Sequence, residues 1–245
     1  MPPVRLPGRE LDELLGPALP SDHAGQALAD RYIEREVGRT GGRPWRVLDL
    51  GCGSGSSVDF FRARDPDVHW AGLDVPDSPE ARTRTDAPFQ TFDGVSIPFK
   101  EGSFDLVYCK QVLEHVRHPK PLLAEVQRVL TTGGYFAGST SQLEPFHSLS
   151  MWNYTPVGFS ELVQEAGLTL LEVRPGIDGL ALIARRLVAR GKRTDRLWAR
   201  WWGGESPLNR LIDAYGRAAR LNVRAVNATK LLFSGQFAFL AQRID

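Results

Sequence analysis

Short apolar runs alternate with segments of helical periodicity over residues 45–175. Between the runs, apolar residues recur at spacings of three and four, as they do on the buried face of an amphipathic helix. Strands that alternate with helices favour parallel pairing and a sheet covered on both faces, which is an α/β fold. The predicted strands are residues 46–50, 68–73, 88–92, 104–108, 135–139 and 168–173, and helices are predicted over 119–130 and 155–166.

The flanking segments have a different pattern. A helix is predicted over residues 24–37, with Ser21 or Asp22 as its N-cap. After residue 176 the chain is Arg-rich, Trp-rich and helical, until an alternating apolar segment returns near the C-terminus and closes the sheet. We therefore expect a single domain, in which N-terminal lid helices occupy residues 1–44, the core 45–175, a helical insertion 176–233 and the last strand 234–245.

Composition narrows the class of protein. The chain has 245 residues, of which 42% are hydrophobic, so it can bury a substantial core without disulfides or a structural metal. Two cysteines, Cys52 and Cys109, are too few for a disulfide framework or a four-cysteine zinc site. The N-terminal residues lack the apolar centre of a signal peptide, and no apolar run reaches the roughly 18 residues of a membrane span. A cytoplasmic protein is expected.

The formal net charge of +1 conceals an uneven distribution. Residues 176–232 contain twelve Lys and Arg against four acidic residues. This stretch is interpreted as a solvated surface, as a site for an acidic or lipid-linked substrate, or as a basic amphipathic segment, residues 180–202, that contacts a membrane. Nucleic acid is disfavoured, because the motifs of base-modifying enzymes and independent RNA-binding motifs are missing from the sequence. The sequence does not define an oligomeric state.

A glycine-rich turn connects the first predicted strand to a helix. Gly51, Gly53 and Gly55 stand where the backbone must approach a ligand without intervening side chains. Asp74 ends the second strand, 19 residues beyond Gly55, where a carboxylate can accept hydrogen bonds from both ribose hydroxyls. The combination predicts a cofactor that contains a nucleoside.

The spacing also bears on which nucleoside cofactor is bound. In the dinucleotide fingerprint G-x-G-x-x-G the last glycine would fall on Ser56. Asp49 lies directly before the turn, where a carboxylate would repel a pyrophosphate but favour a cationic amino group. These features favour a nucleoside with an amino-acid tail over NAD.

Seven motifs follow one another in a characteristic order: VLDLGCGSG (47–55), GLD (72–74), FD (92–93), IPF (97–99), GSFDLVY (102–108), VLEHV (112–116) and LTTGG (130–134). Together they resemble the class I S-adenosylmethionine-dependent methyltransferases, in particular the bacterial small-molecule subgroup with quinone and natural-product methyltransferases. The resemblance implies a Rossmann-like, seven-stranded, mostly parallel sheet with a reversed last strand, and S-adenosylmethionine as cofactor.

The resemblance assigns roles to individual residues. Asp74 would bind the ribose, and Asp93, with Gly94 beside it, would meet the adenine amino group. The backbone of Cys109 and Lys110 would line the methionine moiety, although a lysine is unusual at that position and either faces solvent or contacts an acidic substrate. The methionine end would be held by Asp49 and by the turn residues Gly51, Cys52, Gly53 and Gly55.

Methyl transfer to a hydroxyl requires a group that accepts a proton, and the loops after the fourth and fifth strands carry the candidates. His147 is the preferred base, since histidine with a pKa near 6.5 accepts protons around neutrality. His115 is a second catalytic candidate that shapes the site. Glu144, Trp152 and Tyr154 are candidate substrate-binding residues. The sequence does not reveal a cluster of acids that would hold a metal with His147.

These observations predict a methyltransferase that acts on a small molecule, with O-methylation of a sugar or natural-product hydroxyl and His147 as the base. C-methylation or N-methylation would use the same fold. An NAD-dependent oxidoreductase is a rival from a different enzyme class. A non-catalytic protein that keeps the fold is another, although the predicted cofactor residues are intact.

Overall fold

The computed structural model describes residues 8–36, 42–76, 78, 88–188 and 205–245. One sheet of seven strands has the order β3-β2-β1-β4-β5-β7-β6. Its strands are β1 (Arg46–Leu50), β2 (His69–Asp74), β3 (Phe89–Thr91), β4 (Phe104–Lys110), β5 (Leu130–Ser141), β6 (Thr169–Pro175) and β7 (Gln236–Gln242). The α-helices of the described ranges are α1 (Arg9–Leu15), α2 (Asp30–Glu36), α3 (Ser57–Arg62), α4 (Pro119–Val129), α5 (Pro156–Glu165), α6 (Gly179–Leu187), α7 (Pro207–Ala218) and α8 (Val223–Leu232).

The strand directions confirm the predicted fold class. Strands β3, β2, β1, β4 and β5 pair in parallel, whereas β7 is antiparallel to both of its neighbours, β5 and β6. The carboxyl ends of β1, β2 and β4 therefore meet at one edge of the sheet. In α/β folds this edge is where ligands bind.

Both faces of the sheet are covered, as the apolar strands predicted. In β1, Leu48 and Leu50 pack on the face that α1, α4 and α5 cover, while Val47 packs on the opposite face with α2 and α3. The aromatic ring of Phe159 in α5 is fully buried against Phe237 and Phe239 of β7. This packing holds the loops at the carboxyl edge on a rigid base.

The helix predicted over residues 24–37 begins later than expected. Helix α2 begins at Asp30, and residues 23–28 are not helical. The backbone N–H of Ala24 donates to the Asn227 side chain, and that of Ala27 donates to the carbonyl of Pro175. These tertiary hydrogen bonds replace the first helical turns. Asp22 pairs with Arg174 instead of acting as an N-cap.

Strand β5 begins five residues earlier than its apolar pattern indicated. Leu130 already pairs with Phe104, and a register shift follows between Phe104 and Leu106. The Gly133-Gly134 pair therefore lies within the strand. Strand β4 likewise extends to Lys110, two residues beyond its prediction.

Helices α6, α7 and α8 lie before β7, as expected for an insertion before the last strand. The tryptophans Trp198, Trp201 and Trp202 and the break at Gly203-Gly204 fall outside the described residues. Within the described ranges, no helix combines the length and apolar character needed to cross a membrane.

A buried carboxylate connects the N-terminal ends of β1 and β4. Arg43 donates two hydrogen bonds of 2.7 Å to Asp105, and the Arg46 side chain donates a third of 2.8 Å. Burial opposes ionisation of Asp105, but the hydrogen bonds from Arg43 and Arg46 outweigh it and hold the pKa of Asp105 well below its usual range. Ionised Asp105 therefore stabilises the fold.

Because the pKa of Asp105 is lower in the folded state, its contribution is present above the unfolded pKa of about 4 and is lost as the pH falls below it. We expect Asp105→Asn to lower the free energy of unfolding by about 1 to 2 kcal/mol at pH 7, a range reduced because Arg43 is half exposed. Urea unfolding between pH 3 and 7 measures this. The exposed control Asp59→Asn should show the same change in the free energy of unfolding with pH as the wild type. The same pH dependence in Asp105→Asn would contradict the stabilising role of ionised Asp105.

Candidate functional site

The turn after β1 adopts a backbone that requires glycine. Gly51, Gly53 and Gly55 have φ angles of +74°, +53° and +78°, in the left-handed region that side chains disfavour. A Cβ on Gly51 would also lie 2.3 Å from a methyl group of Val112. The turn therefore presents bare backbone at the carboxyl edge of the sheet.

Asp74 fixes this turn from the neighbouring strand. Its carboxylate accepts hydrogen bonds of 2.8 Å from the backbone N–H groups of Gly53 and Val75. The backbone N–H groups of Gly51 and Cys52 donate to the carbonyl of Leu73, the residue before Asp74. The end of β2 thus organises the glycine turn as well as offering a carboxylate beside it.

Asp49 contributes a second carboxylate to the same edge. Its side chain is buried and accepts a hydrogen bond from the hydroxyl of Ser57, which in turn accepts one from the indole N–H of Trp70. Burial, together with the nearby negative charge of Asp74, raises the pKa of Asp49 to about 7, against the effect of the Ser57 bond. A cationic group bound here would stabilise the ionised carboxylate.

The Asp93 loop lies beside Asp74. The backbone N–H of Phe92 donates to the carbonyl of Asp74, and a Cβ on Gly94 would be 3.7 Å from Val75. The Asp93 side chain is exposed and accepts hydrogen bonds from the N–H groups of Ser96 and Val95, which lower its pKa. The structure thus brings Asp49, Asp74 and Asp93 to neighbouring strand ends.

The end of β4 completes this side of the site. Cys109 is fully buried, and its backbone is so close to β5 that a Cβ on Gly138 would lie 1.9 Å from the Cys109 carbonyl oxygen. Lys110 forms an ion pair within the protein: its Nζ lies 3.4 Å from the Asp30 carboxylate of α2. The side chains of Cys52 and Cys109 are both buried and form no disulfide with each other.

Two loops after β4 and β5 are held together by backbone hydrogen bonds. The N–H groups of Met151 and Trp152 donate to the carbonyl of Glu114, at 2.7 and 3.1 Å. The indole N–H of Trp152 donates to Val116, and the hydroxyl of Tyr154 donates to Leu113. The loop that carries His147 therefore has a fixed position above the end of β4.

His147 lies between two carboxylates. Its Nδ1 is 3.3 Å from the carbonyl of Pro145 and 3.6 Å from Glu144, and its Nε2 is 4.0 Å from Glu114. A carbonyl can only accept a hydrogen bond, so the Pro145 contact favours a proton on Nδ1 and leaves the Nε2 lone pair as the proton acceptor. The ring of His115 packs edge-on against His147, with centroids 5.2 Å apart.

The predicted substrate-binding residues differ in their surroundings. The Glu144 carboxylate is buried, and Arg186 and Gln236 donate to it. The Ser141 hydroxyl, which has one proton, lies 2.8 Å from a Glu144 oxygen and 3.1 Å from a Glu114 oxygen. Trp152 is 46% exposed, whereas Tyr154 is buried and lines a largely apolar cavity of about 470 Å³ with Leu11, Leu143 and Val157, among others. Glu144 thus has structural partners that its sequence position did not reveal.

Two residues of this cluster were not predicted from the sequence. Glu114 is fully buried and accepts a hydrogen bond from Thr140, with the Ser141 hydroxyl 3.1 Å from its other oxygen. Arg186 reaches Glu144 from the insertion, across 42 positions. The motif that contains Glu114 was recognised, but nothing in its pattern distinguished a buried carboxylate from an exposed helical one.

Comparisons with known proteins agree with this geometry. A family model described as "Methyltransferase domain" matches residues 48–138, which include the glycine turn, Asp74 and Glu114. Residues 48–138 are therefore similar to a methyltransferase domain. The ubiquinone biosynthesis O-methyltransferase of Acinetobacter baumannii (strain AYE) is 29% identical over 132 residues, which are 50% of this chain and 54% of the relative. The chain thus spans about half the length of the curated relatives it matches.

Solved structures support the methyltransferase fold. An S-adenosylmethionine-dependent methyltransferase from Mesorhizobium loti is 18% identical, with a TM-score of 0.53 over 87% of this chain and 95% of that one. The [4+2]-cyclase SpnF is 20% identical, with a TM-score of 0.57 over 95% of this chain and 91% of that one. Since one of these neighbours is named as a cyclase, the fold by itself does not assign the reaction.

The residues at this site fit S-adenosylmethionine, the cofactor that the resemblance implies. Val112 occupies the space that a Cβ on Gly51 would need, so the turn packs tightly and presents backbone atoms at the carboxyl edge. Asp49 offers a buried carboxylate to an amino group, and Asp74 lies where a ribose would be expected. NAD fits this site less well, because its pyrophosphate would face the Asp49 carboxylate and be repelled by it.

Asp74→Ala tests the anchoring of the turn. We expect the affinity for S-adenosylhomocysteine to fall by about 1.5 to 3 kcal/mol, since hydrogen bonds to a charged group are lost. Isothermal titration calorimetry measures this loss. Asp59→Ala, an exposed acid of α3, is the matched control and should bind as the wild type does. Equal affinity in both variants would contradict a role for Asp74 in cofactor binding.

Proposed function

We propose that this protein transfers a methyl group from S-adenosylmethionine to a hydroxyl oxygen of a small sugar or natural-product scaffold. The observation that carries the proposal is His147, whose Nε2 lies 4.0 Å from the Glu114 carboxylate and whose loop is fixed on Glu114 by backbone hydrogen bonds. The name of the Acinetobacter relative, an O-methyltransferase, supports oxygen as the acceptor atom.

On the donor side, the role of the protein is to bind and orient S-adenosylmethionine. Asp49 would hold the amino group, the glycine turn would lie against the methionine moiety, and Asp74 would bind the ribose. Asp93 and Gly94 would border the adenine, next to Asp74. Bound S-adenosylmethionine supplies an activated sulfonium methyl group, so the protein's main tasks are alignment and proton removal.

On the acceptor side, His147 Nε2 accepts the hydroxyl proton. The Pro145 carbonyl keeps a proton on Nδ1, and the carboxylates of Glu144 and Glu114 stabilise the imidazolium that forms. The edge-on ring of His115 restricts the orientation of the His147 ring. This arrangement has the three parts of an acid–base site: the base, the group that orients it and the charge that stabilises its protonated form.

The backbone around His147 supports a functional role for the loop. Ser148 and Leu149 have φ angles of +41° and +62°, which are unfavourable for residues with a Cβ. Such strain persists where the surrounding contacts impose it, and it is common at functional sites. The hydrogen bonds from Met151, Trp152 and Asn153 provide those contacts.

The acceptor side also carries exposed apolar groups. Leu180, Ile183 and Leu187 of α6 are 57%, 45% and 81% exposed, and the basic Arg185 and Arg186 lie between them in sequence. This combination supports an acidic or lipid-linked acceptor, met at the cytoplasmic surface of a membrane. Most of the basic segment 180–202 continues outside the described residues.

The N-terminal helices are the proposed lid of this single domain. Helix α1 contributes Leu11 and Leu14 to the apolar cavity, and α2 contributes Asp30, which pairs with Lys110 at the end of β4. Each helix therefore borders one half of the site. The lid would exclude water from the donor and the acceptor.

A labelling experiment tests the function. Extracts of the producing cell are incubated with the protein and with S-adenosylmethionine that carries a label on its methyl group. We expect label in a small molecule with a methyl ether, identified by mass spectrometry. Label on carbon or nitrogen would contradict the oxygen acceptor, and no transfer at all would contradict the activity.

With that acceptor, His147→Ala should lower kcat by about 100-fold or more, the usual contribution of a general base. Affinity for S-adenosylhomocysteine should stay within about twofold, because His147 lies outside the donor half. His118→Ala, on the exposed entry to α4, is the matched control. If His147→Ala keeps the wild-type kcat, another group removes the proton.

A further inference from the structure

Three side chains that commonly bind metals converge beside the acceptor half of the site. One carboxylate oxygen of Glu114 and one ring nitrogen each from His115 and His147 lie within 4.8 Å of one another. Glu114 and His115 belong to the short 3-10 turn after β4, whereas His147 comes from the loop after β5. Two separate elements thus direct their donor atoms to one point.

The carboxylate of Glu114 is oriented by two hydroxyl groups of β5. Thr140 donates to one of its oxygens at 3.0 Å, and the Ser141 hydroxyl, whose one proton lies between Glu114 and Glu144, is 3.1 Å from the other. The side chain is fully buried, and burial together with the nearby Glu144 raises its pKa. Arg186 pairs with Glu144 at 2.6 Å, so its guanidinium serves Glu144 and not Glu114. A cation between Glu114 and the two histidines would stabilise the buried carboxylate.

The donor set defines the class of cation. Two imidazoles and one carboxylate suit divalent transition metals such as Zn²⁺, whereas Mg²⁺ and Ca²⁺ prefer oxygen donors. Zinc lies about 2.0 to 2.2 Å from nitrogen and oxygen ligands, so donors within 4.8 Å of one another can enclose it after small side-chain rotations. We infer that Glu114, His115 and His147 form a binding site for a divalent transition-metal cation.

A second group in the described residues provides a contrast. His23, Glu205 and Asp213 also bring three donor atoms together. There the ammonium group of Lys230, which is fully buried, lies 2.9 Å from Asp213 and 3.1 Å from His23. Lys230 already supplies the positive charge at that position. Within the described part of the chain, no lysine or arginine forms an ion pair with Glu114, which favours the Glu114 group as the metal site.

The consequence for the reaction rests on the proposed function, although metal binding itself does not. A ring nitrogen that binds a cation cannot accept a proton. Since the tautomer favoured by Pro145 leaves His147 Nε2 as the donor atom, a cation there takes the lone pair that the proposed base uses. The bound cation and methyl transfer therefore exclude each other, and Zn²⁺ inhibits the enzyme.

Zinc titration of the full-length protein without an affinity tag tests the site. By isothermal titration calorimetry we expect one Zn²⁺ per chain, with a Kd that rises at least about tenfold in Glu114→Gln and in His115→Gln. His23→Gln, which removes a donor from the second group, is the matched control and should keep the wild-type Kd. Co²⁺ in place of Zn²⁺ should give a visible absorption band that both site variants lose.

Two results would overturn the inference: no Zn²⁺ binding by the wild type, or equal Kd values in the wild type and both site variants. S-adenosylhomocysteine binding, measured on the same samples, shows that each variant is folded and separates this failure from a failure of the proposed function. With the acceptor identified, saturating Zn²⁺ should abolish wild-type turnover. Full turnover at saturating Zn²⁺ would overturn the inhibitory consequence.

Discussion

The hydrogen bond from the Gly53 N–H to the Asp74 carboxylate connects the glycine turn to the end of β2, and the donor half of the site depends on it. The turn can adopt its left-handed backbone only without side chains, so its own atoms provide little to hold it in place. Asp74 provides that restraint from the next strand of the sheet. The resemblance places the ribose at the same carboxylate, so Asp74 would serve both the fold and the ligand.

Burial makes the Asp49 carboxylate favourable for binding a cationic group. Held under the turn by Ser57, its carboxylate has a pKa raised to about 7 by the loss of water and by Asp74. A bound ammonium group would restore the charge balance that burial removes. A pyrophosphate would make the balance worse, which is the physical reason to favour an amino-acid tail over a dinucleotide.

The fold, and the convergence of the glycine turn and Asp74 at one edge of the sheet, could be predicted because their signals are local. The residues of the donor half lie close together in sequence: the strand β1, the Gly51-x-Gly53-x-Gly55 turn after it, and Asp74 at the end of β2. The acceptor half is assembled over long separations: Glu114 meets His147, and Arg186 meets Glu144. No periodicity reports such pairs. The helix expected from residue 24 failed for a related reason, since Asn227, about 200 positions away, takes the hydrogen bond of Ala24.

Calorimetric titration of the full chain with S-adenosylmethionine, and separately with NAD, tests the central claim most directly. We expect one S-adenosylmethionine to bind per chain and NAD to produce no binding heat. Binding of NAD without binding of S-adenosylmethionine would contradict the assignment of the donor site.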